Sequence, residues 1–411
     1  MKDFIRQNLF DELESRLHGK VNLLQVIVGP RQVGKTTLAL QIFDRWKGSK
    51  LYKTADQPGT PALSWLEDVW QQARALPKQS DPTLLIIDEA QKIPHWSDLV
   101  KKLFDEDKIA KRNLRIVLLG SSSLLVQRGL QESLAGRFEL HRHYQWSYAE
   151  CKKAFSLTLQ DFLFFGGYPG GLVIREDPTR WARYIRDSLI ETVLAKDILL
   201  MSPISKPALL RQTFSLAIGH PAQIISYQKM LGSLTDAGNV TTIASYLKLL
   251  SSSFLVLPLE RYSGTVIKQR GSIPKIIIFD NALISAMNNL TKSDVAADSA
   301  WQGRLVENAV GAKIQTAVEK QGGELFYWRE RDREVDFVVQ VGKNLLAIEV
   351  KSGEIEDRPS SLEYFLKKYS RAKGLVICDL KKDSRSNSEI HSVSLEDFLL
   401  DTEKFLTMQY G

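Results

Sequence analysis

Cysteine is scarce in this sequence of 411 residues, which has only Cys151 and Cys378. Two cysteines so far apart exclude a disulfide framework and a cysteine-rich zinc site, and they favour a reducing compartment. Long apolar runs are also missing, since no stretch approaches the roughly 18 residues that a membrane span needs. Residues 1–17 carry early acids and helical periodicity, unlike a signal peptide. We therefore expect a cytoplasmic protein with no membrane partner.

A large charge surplus is absent too. Lys and Arg number 55 against 48 Asp and Glu, which leaves a net charge of +7. This excess is small for the length and is spread over both halves, so a nucleic-acid partner is allowed but not demanded. With 44% hydrophobic and 25% charged residues, the composition is that of a globular protein and excludes disordered, collagen-like and coiled-coil chains.

Three regions of different pattern follow one another. Up to about residue 150, short apolar runs such as Leu84–Ile87 and Ile116–Leu119 alternate with helical patterns, which predicts a parallel sheet covered by helices. Residues 151–260 carry helical patterns and little strand signal, and strand patterns return from Lys275 onward. The predicted fold class is α/β, with a helical middle and a second α/β domain.

A phosphate-binding pattern stands out in the first region. Gly29–Thr36 reads GPRQVGKT and fits G-x-x-x-x-G-K-[ST] without mismatch, between a predicted strand and a predicted helix. Such glycines let backbone N–H groups and the helix N-terminus face phosphates; Lys35 can reach the β- and γ-phosphates and Thr36 can ligate Mg²⁺. A chance Gly-rich turn is the alternative. We predict ATP and Mg²⁺ as cofactors. The predicted nucleotide-binding residues are Gly29, Pro30, Arg31, Gln32, Val33, Gly34, Lys35, Thr36, Thr37 and Asp88.

Two acids end the next apolar run, LLIIDE. Asp88 is positioned to hold Mg²⁺ and Glu89 to polarise the attacking water. The alternative is an exposed acidic turn without a functional role. A third run ends in Gly120–Ser123, where Ser121 could contact the γ-phosphate or the water. Helix capping by the neighbouring serines is equally compatible with this pattern.

The ordered motifs GPRQVGKT, IIDEAQKIPHW, LLGSSS and SLAGR resemble those of a prokaryotic branch of the AAA-type P-loop ATPases. The resemblance implies that Ser121 is the sensor residue and that Arg137 or, alternatively, Arg128 stabilises transition-state charge. Such an arginine often acts from a neighbouring subunit, so the resemblance also implies a homo-oligomer. The alternative for Arg137 is a solvated or carboxylate-paired arginine.

The helical middle contains a helix-turn-helix pattern followed by a strand, between Ile224 and Leu257. Thr241 or Thr242 is expected to cap the second helix, whose apolar face is formed by Ile243, Tyr246, Leu247 and Leu250. The segment resembles a winged helix-turn-helix. Its second helix carries only one basic residue, Lys248, so packing against protein is at least as compatible with it as DNA reading.

Carboxylates converge near the carboxyl terminus. Asp336 begins one predicted strand of a hairpin, and Glu349 and Lys351 leave the other strand on one face. Two carboxylates can hold a divalent cation, and a lysine beside them can orient or deprotonate water. Glu307 lies on the preceding predicted helix. A polar hairpin with unrelated charges is the alternative.

This D-x(12)-E-x-K spacing resembles the PD-(D/E)xK nuclease superfamily, except that Val335 replaces the usual proline before the first acid. The resemblance implies that Asp336, Glu349 and Glu307 bind Mg²⁺ and that Lys351 is the catalytic lysine. The predicted catalytic set of the whole chain is then Lys35, Glu89, Ser121, Arg137 and Lys351, and its predicted metal ligands are Thr36, Asp88, Glu307, Asp336 and Glu349.

We predict four parts: an ATPase core over residues 1–150, a helical lid over 151–205, a winged helix over 206–262 and a nuclease-like domain over 263–411. The first functional hypothesis is an ATPase coupled to a metal-dependent nuclease acting on DNA. The second is an ATP-gated switch whose last domain binds a protein partner and cleaves nothing. The modest, evenly spread basic charge favours the second, and the four carboxyl-terminal candidates favour the first.

Overall fold

The computed structural model describes residues 4–59, 61–120, 130, 133–199, 204–234, 239–264, 272–351, 360–379 and 390–407. The chain divides into an N-terminal unit, Met1–Tyr144, and a C-terminal unit, Gln145–Gly411. Among the described residues, no helix is both long and apolar enough to cross a membrane.

The N-terminal unit is built on a parallel sheet with the strand order β2-β3-β4-β1-β5. The strands are β1 (Leu24–Val28), β2 (Lys50–Thr54), β3 (Thr83–Asp88), β4 (Leu114–Gly120) and β5 (Phe138–Arg142). The helices are α1 (Gln7–His18), α2 (Lys35–Arg45), α3 (Leu63–Ala75) and α4 (Trp96–Ile109), with a 3₁₀ turn at Ala90–Lys92. The carboxyl ends of β1 and β3 therefore lie at one edge of the sheet, where open α/β sheets bind ligands.

Both faces of this sheet are covered, which explains the continuous apolar runs of the sequence. Strand β1 is buried along its whole length. Its Leu24, Val26 and Val28 join a core with α3 and α4, whereas Ile27 joins the core with α1 and α2. The predicted parallel α/β core is confirmed.

The C-terminal unit begins with helices and a small sheet of order β6-β8-β7. Its first helices are α5 (Tyr148–Phe155), α6 (Leu159–Phe165), α7 (Pro169–Leu172) and α8 (Pro178–Arg183), the last followed by wider π-helical turns at Tyr184–Ile190 and Val193–Leu199. Then come α9 (Pro207–Gly219), β6 (Gln223–Ile224), α10 (Tyr227–Gly232), α11 (Val240–Ser252), β7 (Val256–Leu259) and β8 (Lys275–Ile278). Strand β8 pairs with both β6 and β7, so the boundary predicted after residue 262 falls between two paired strands.

A mixed sheet of order β13-β12-β11-β10-β9 forms the rest of this unit. Strands β9, β10 and β11 are antiparallel, and β11, β12 and β13 are parallel. The elements are α12 (Asn281–Met287), α13 (Lys292–Ala297), α14 (Ser299–Lys320), β9 (Glu324–Glu330), β10 (Arg333–Val341), β11 (Asn344–Val350), α15 (Ser360–Lys368), β12 (Ala372–Cys378), β13 (Ile390–Ser394), α16 (Leu395–Leu400) and α17 (Thr402–Thr407). One face packs on α14 and the other on α15.

One local expectation was wrong. The side chain of Asn239, not of Thr241 or Thr242, caps α11 by accepting from Thr242 N, because Asn is a better cap than Thr and stands two residues before Thr241. Further along the chain, Asp401 has non-helical backbone angles and separates α16 from α17.

Candidate functional site

The loop between β1 and α2 has the geometry that its glycines predict. Gly34 has φ of +96°, in the left-handed region that glycine tolerates, and directly precedes α2. At Gly29 a Cβ atom would lie 2.1 Å from the backbone oxygen of His143, so only glycine fits there. The loop is thereby held against the chain that leaves β5.

Lys35 begins α2, and its ammonium group lies inside this loop. Its Nζ atom donates to the carbonyl oxygens of Gly29 and Pro30 at 2.9 and 2.6 Å, and the side chain is buried. The loop backbone thus holds a positive charge beside the N-terminus of a helix, which is an arrangement suited to phosphate.

Asp88 ends β3 and lies next to the start of α2. Its Oδ2 atom accepts from the hydroxyl groups of Thr36 at 2.9 Å and Tyr52 at 3.0 Å. Burial, followed by the charge of Asp88, raises the pKa of Tyr52 above its ordinary value, so this phenol stays protonated. Thr36 and Asp88 present converging oxygen atoms. They fit Mg²⁺, which proteins usually hold by one or two such ligands together with phosphates.

Glu89 follows Asp88 in a strained conformation. Its φ is +56°, and its carboxylate accepts from the side-chain amide of Gln91 at 2.5 Å. A non-glycine residue in the left-handed region costs about 1–3 kcal/mol and is found preferentially at functional sites. The strain turns the chain sharply at the end of β3 and leaves Glu89 beside Asp88, at the edge that carries the phosphate loop.

Of the remaining predicted ATPase residues that the structure describes, Arg137 is not brought to this edge. Ser121 and Arg128 lie outside the described residues. Arg137 precedes β5, and its backbone oxygen accepts from Leu24 N at the start of β1, so it lies at the opposite end of the strands from the phosphate loop. Its guanidinium forms two hydrogen bonds to Asp105, at 2.8 and 2.9 Å. Arg31, Gln32, Val33 and Thr37 lie in the loop or the first turn of α2.

A buried histidine adjoins the phosphate loop. His143, which directly follows β5, is 1% exposed. Burial, then the positive charges of Arg6 and Lys35, hold the pKa of His143 well below its ordinary value. His143 N donates to Val28 O, so this neutral ring is fixed beside the phosphate loop. His141 contacts Glu12 and Gln25.

The carboxyl-terminal candidates also meet, around a β-bulge in β10. The pairing of β10 with β9 shifts by one residue between Val335 and Val338. Asp336 lies in this bulge, and its Oδ2 atom accepts from Val350 N at 2.8 Å. A bulge re-aims one side chain without breaking the sheet, which explains why Asp336 points along β11 toward Glu349.

A lysine that sequence analysis missed lies among these carboxylates. Lys275, the first residue of β8, is 0% exposed. Its Nζ atom lies 2.5 Å from Glu307 Oε1 and 3.2 Å from both Glu334 Oε1 and Asp336 Oδ1. Burial alone would lower the pKa of Lys275, but the charges of Asp336, Glu307 and Glu334 outweigh it and raise the pKa.

Glu349 and Lys351 form a second ion pair, 2.7 Å long, at the end of β11. Burial, followed by the charge of Asp336, raises the pKa values of Glu349 and Glu307 above their ordinary range. Glu349 Oε2 is buried and accepts no hydrogen bond from the described residues.

The carboxylates of Glu307, Glu334, Asp336 and Glu349 fit Mg²⁺ poorly as they are arranged in this structure. Among the described residues, no three or more His, Cys, Asp or Glu side chains are arranged to hold a metal ion. The oxygen atoms that face inward from Glu307 and Asp336 face the ammonium of Lys275 instead.

Comparison with known families agrees with the geometry of the first site. Residues 21–152 match the model described as an AAA domain. These residues are an AAA domain of the P-loop ATPase family. Residues 156–294 and 302–398 match two further models, each described as a domain of unknown function (DUF8612 and DUF4143).

Relatives and solved structures are distant. The chain is 24% identical over 385 residues to the "Uncharacterized protein MJ1544" of Methanocaldococcus jannaschii, covering 88% of this chain and 80% of that protein. Similar structures include the Walker-type ATPase PABY2304 of Pyrococcus abyssi, at 14% identity and a TM-score of 0.46, covering 69% of this chain and 96% of that one. AMPPCP-bound DnaA from Aquifex aeolicus has 16% identity and a TM-score of 0.32, covering 59% and 86%.

Proposed function

We propose that this protein is an Mg²⁺-dependent ATPase and that its nucleotide state controls the activity of its C-terminal unit. The main observation behind this proposal is that Lys35, Thr36 and Asp88 converge at one sheet edge. Lys35 donates hydrogen bonds to loop carbonyls, and the Thr36 hydroxyl donates one to Asp88. This arrangement supplies a cation for phosphate oxygens and two oxygen ligands for a metal ion.

Each residue has a role in this proposal. Lys35 and the N–H groups of the loop bind the β- and γ-phosphates. Thr36 and Asp88 would hold Mg²⁺, whose chemical contribution when bound would be to neutralise charge on those phosphates. Glu89 orients and polarises the attacking water. If Arg137 supplies charge to the transition state, its place at the opposite sheet edge means that it does so from a neighbouring subunit.

Hydrolysis and nucleotide binding measured together test this proposal. In Glu89→Gln we expect ATP to bind about as tightly as in the wild type while turnover falls roughly 10²–10⁴-fold, because a positioned base contributes on that scale. Glu67→Gln on α3 is the matched control and keeps both. Full turnover in Glu89→Gln would remove Glu89 from the mechanism.

For the C-terminal unit, the first candidate function is metal-dependent cleavage of DNA. The order α14-β9-β10-β11-α15-β12 and the convergence of Asp336, Glu349 and Glu307 support the nuclease-like hypothesis. The preceding order from α9 to β8 supports a winged helix, and DNA as a partner rests on this likeness. In this candidate Lys351 would be the catalytic lysine.

The second candidate is a unit that binds a protein partner without cleaving, under the control of ATP. One observation favours it: the buried ammonium of Lys275 lies between the carboxylates that a metal ion would need. Charge compensation by lysine leaves no requirement for a divalent cation.

Cleavage of single- and double-stranded DNA with Mg²⁺ or Mn²⁺, with and without ATP, separates the two candidates. Cleavage that is lost in Asp336→Ala and altered in Lys35→Ala would establish an ATP-controlled nuclease. ATP hydrolysis with no cleavage by any form would leave the binding function. Both results are compatible with the ATPase proposal, which the Glu89→Gln experiment tests by itself.

A further inference from the structure

The backbone pairing of β8 fixes the position of Lys275, independently of the contacts of its side chain. Lys275 opens β8, and its register partners are Ile224 on β6 and Leu259 on β7, so strands flank it on both sides. From this position the side chain runs to the bulge of β10, with Nζ 5.2 Å from the centre of the Phe337 ring. The ammonium is therefore delivered to the cluster by a second sheet of the same unit.

The contacts of this ammonium account for the inner oxygen atoms of the cluster. Three carboxylates, those of Glu307, Glu334 and Asp336, lie within 3.2 Å of Nζ. Nζ donates to Glu334 Oε1 and Asp336 Oδ1 and lies in ion-pair contact with Glu307 Oε1, so one ammonium faces all three acids. The other oxygen of Asp336 accepts from Val350 N, and Glu349 Oε1 is paired with Lys351.

A divalent cation in the same space would meet like charge. Mg²⁺ binds oxygen ligands at about 2.0–2.1 Å in near-octahedral geometry. Both oxygens of Asp336 already have a partner, Lys275 for Oδ1 and Val350 N for Oδ2, so a metal ion would compete with Lys275 for the inner oxygen. Removing one partner of a buried ion pair is strongly unfavourable because it leaves the others uncompensated. The cluster is arranged for a primary ammonium group and not for a metal ion.

Building on the second candidate function, we propose that Lys275 is the resident cation of the Glu307–Glu334–Asp336 cluster and excludes divalent cations from it. The chain itself fills the position that a metal would take. In this proposal the C-terminal unit has the topology of the nuclease-like fold, and the ion pairs of the cluster stabilise the contact between β8 and β10.

Binding of Mn²⁺ to the full-length protein without nucleotide, followed by electron paramagnetic resonance, tests this proposal. We expect the single variant Asp336→Asn to bind Mn²⁺ as the wild type does. In Lys275→Gln we expect a new site, at least about ten-fold tighter than any binding to this cluster in the wild type, because net ligand charge sets the affinity for such cations. The double variant Lys275→Gln, Asp336→Asn should lose that site.

Lys320→Gln is the matched control, because Lys320 pairs with Glu403 on the surface and its loss should add no Mn²⁺ site. Mn²⁺ binding to the wild type that Asp336→Asn or Glu349→Gln abolishes would overturn the proposal. A folded Lys275→Gln that gains no site would overturn it as well. If Lys275→Gln does not fold, the comparison of wild type with Asp336→Asn decides. The readout is independent of ATP hydrolysis, so its failure leaves the ATPase proposal intact.

Discussion

The two units each combine a buried lysine with carboxylates, but they hold the lysine in opposite ways. In the N-terminal unit, Lys35 donates to backbone carbonyls, and Asp88 accepts from two hydroxyl groups. In the C-terminal unit, Lys275 lies among three carboxylates and is fully buried.

The difference lies in what a ligand would have to displace. Hydrogen bonds between a charged and a neutral group contribute about 1.5–3 kcal/mol each. Phosphate oxygens and a metal ion would replace them with contacts of the same kind, so the carbonyls and hydroxyls can be displaced at modest cost. Breaking a buried ion pair costs about 3–5 kcal/mol. The same residue types therefore make two different sites. We call the Lys35–Thr36–Asp88 site the ready site, because ligands can displace its hydrogen bonds. We call the Lys275–Glu307–Glu334–Asp336 cluster the filled site, because a lysine already occupies the place of a cation.

The largest expected effect is on the filled site. Lys275→Met should lower the free energy of unfolding of the C-terminal unit by about 3–5 kcal/mol, because three acids would lose their buried counter-charge. Hydrogen exchange of peptides from β8, β10 and β11 in the full-length protein measures this change. Lys320→Met, which removes a surface pair with Glu403, should cost less than about 1 kcal/mol. Equal losses in both variants would show that the cluster does not stabilise the fold.

The next effect, on the ready site, should appear in catalysis and not in stability. Lys35→Ala should reduce ATP turnover roughly 10²–10³-fold, the range for removing one donor that stabilises developing charge. Its unfolding free energy should change by about 1–3 kcal/mol, because the hydrogen bonds to Gly29 and Pro30 that it loses go to neutral carbonyl groups and not to buried carboxylates. Steady-state hydrolysis and urea unfolding measure the two quantities, with the exposed Lys47→Ala as control. A large loss of stability in Lys35→Ala would contradict the comparison.

A matched pair of acid-to-amide changes sharpens the contrast. Asp336→Asn should destabilise the C-terminal unit by about 1–3 kcal/mol, because an amide cannot accept from Lys275 and from Val350 N with both of its polar atoms. In Asp88→Asn the amide oxygen still accepts from both hydroxyls, so stability should hold while Mg²⁺-dependent hydrolysis falls. Hydrogen exchange and the Mg²⁺ dependence of turnover test the pair, and destabilisation by Asp88→Asn would reverse the expected pattern.

The ready site could be predicted from the sequence because its parts are local. Gly29–Thr36 is one uninterrupted motif between a strand and a helix, and Asp88 follows an apolar run, so strand order alone brings them together. Tyr52 could not be found in this way. It stands in β2, which has no apolar run, since every residue of that strand is only partly buried.

The filled site could be predicted only in part. Asp336, Glu349 and Lys351 are linked by a hairpin, and their spacing predicted that they converge. Lys275 comes from another sheet, 61 residues before Asp336, and a lysine at the start of an apolar run usually indicates a solvated strand end. The bulge that aims Asp336 at Val350 N depends on pairing with β9, for which the sequence gives no local signal.

The smallest effect is expected for Tyr52→Phe. The phenol donates to the same oxygen of Asp88 as Thr36 does, so its loss removes one hydrogen bond and leaves the hydroxyl of Thr36 in place. We expect a loss of about 1–2 kcal/mol in the stability of the N-terminal unit, and turnover within about ten-fold of the wild type, a factor that corresponds to about 1.4 kcal/mol. The concentration of Mg²⁺ for half-maximal hydrolysis should fall slightly, because Asp88 gains a free lone pair. If hydrolysis instead needed a higher concentration of Mg²⁺, Tyr52 would be orienting Asp88 for the metal ion. The ready site would then depend on a hydrogen bond within the protein that must stay intact, as the filled site depends on the contacts of Lys275.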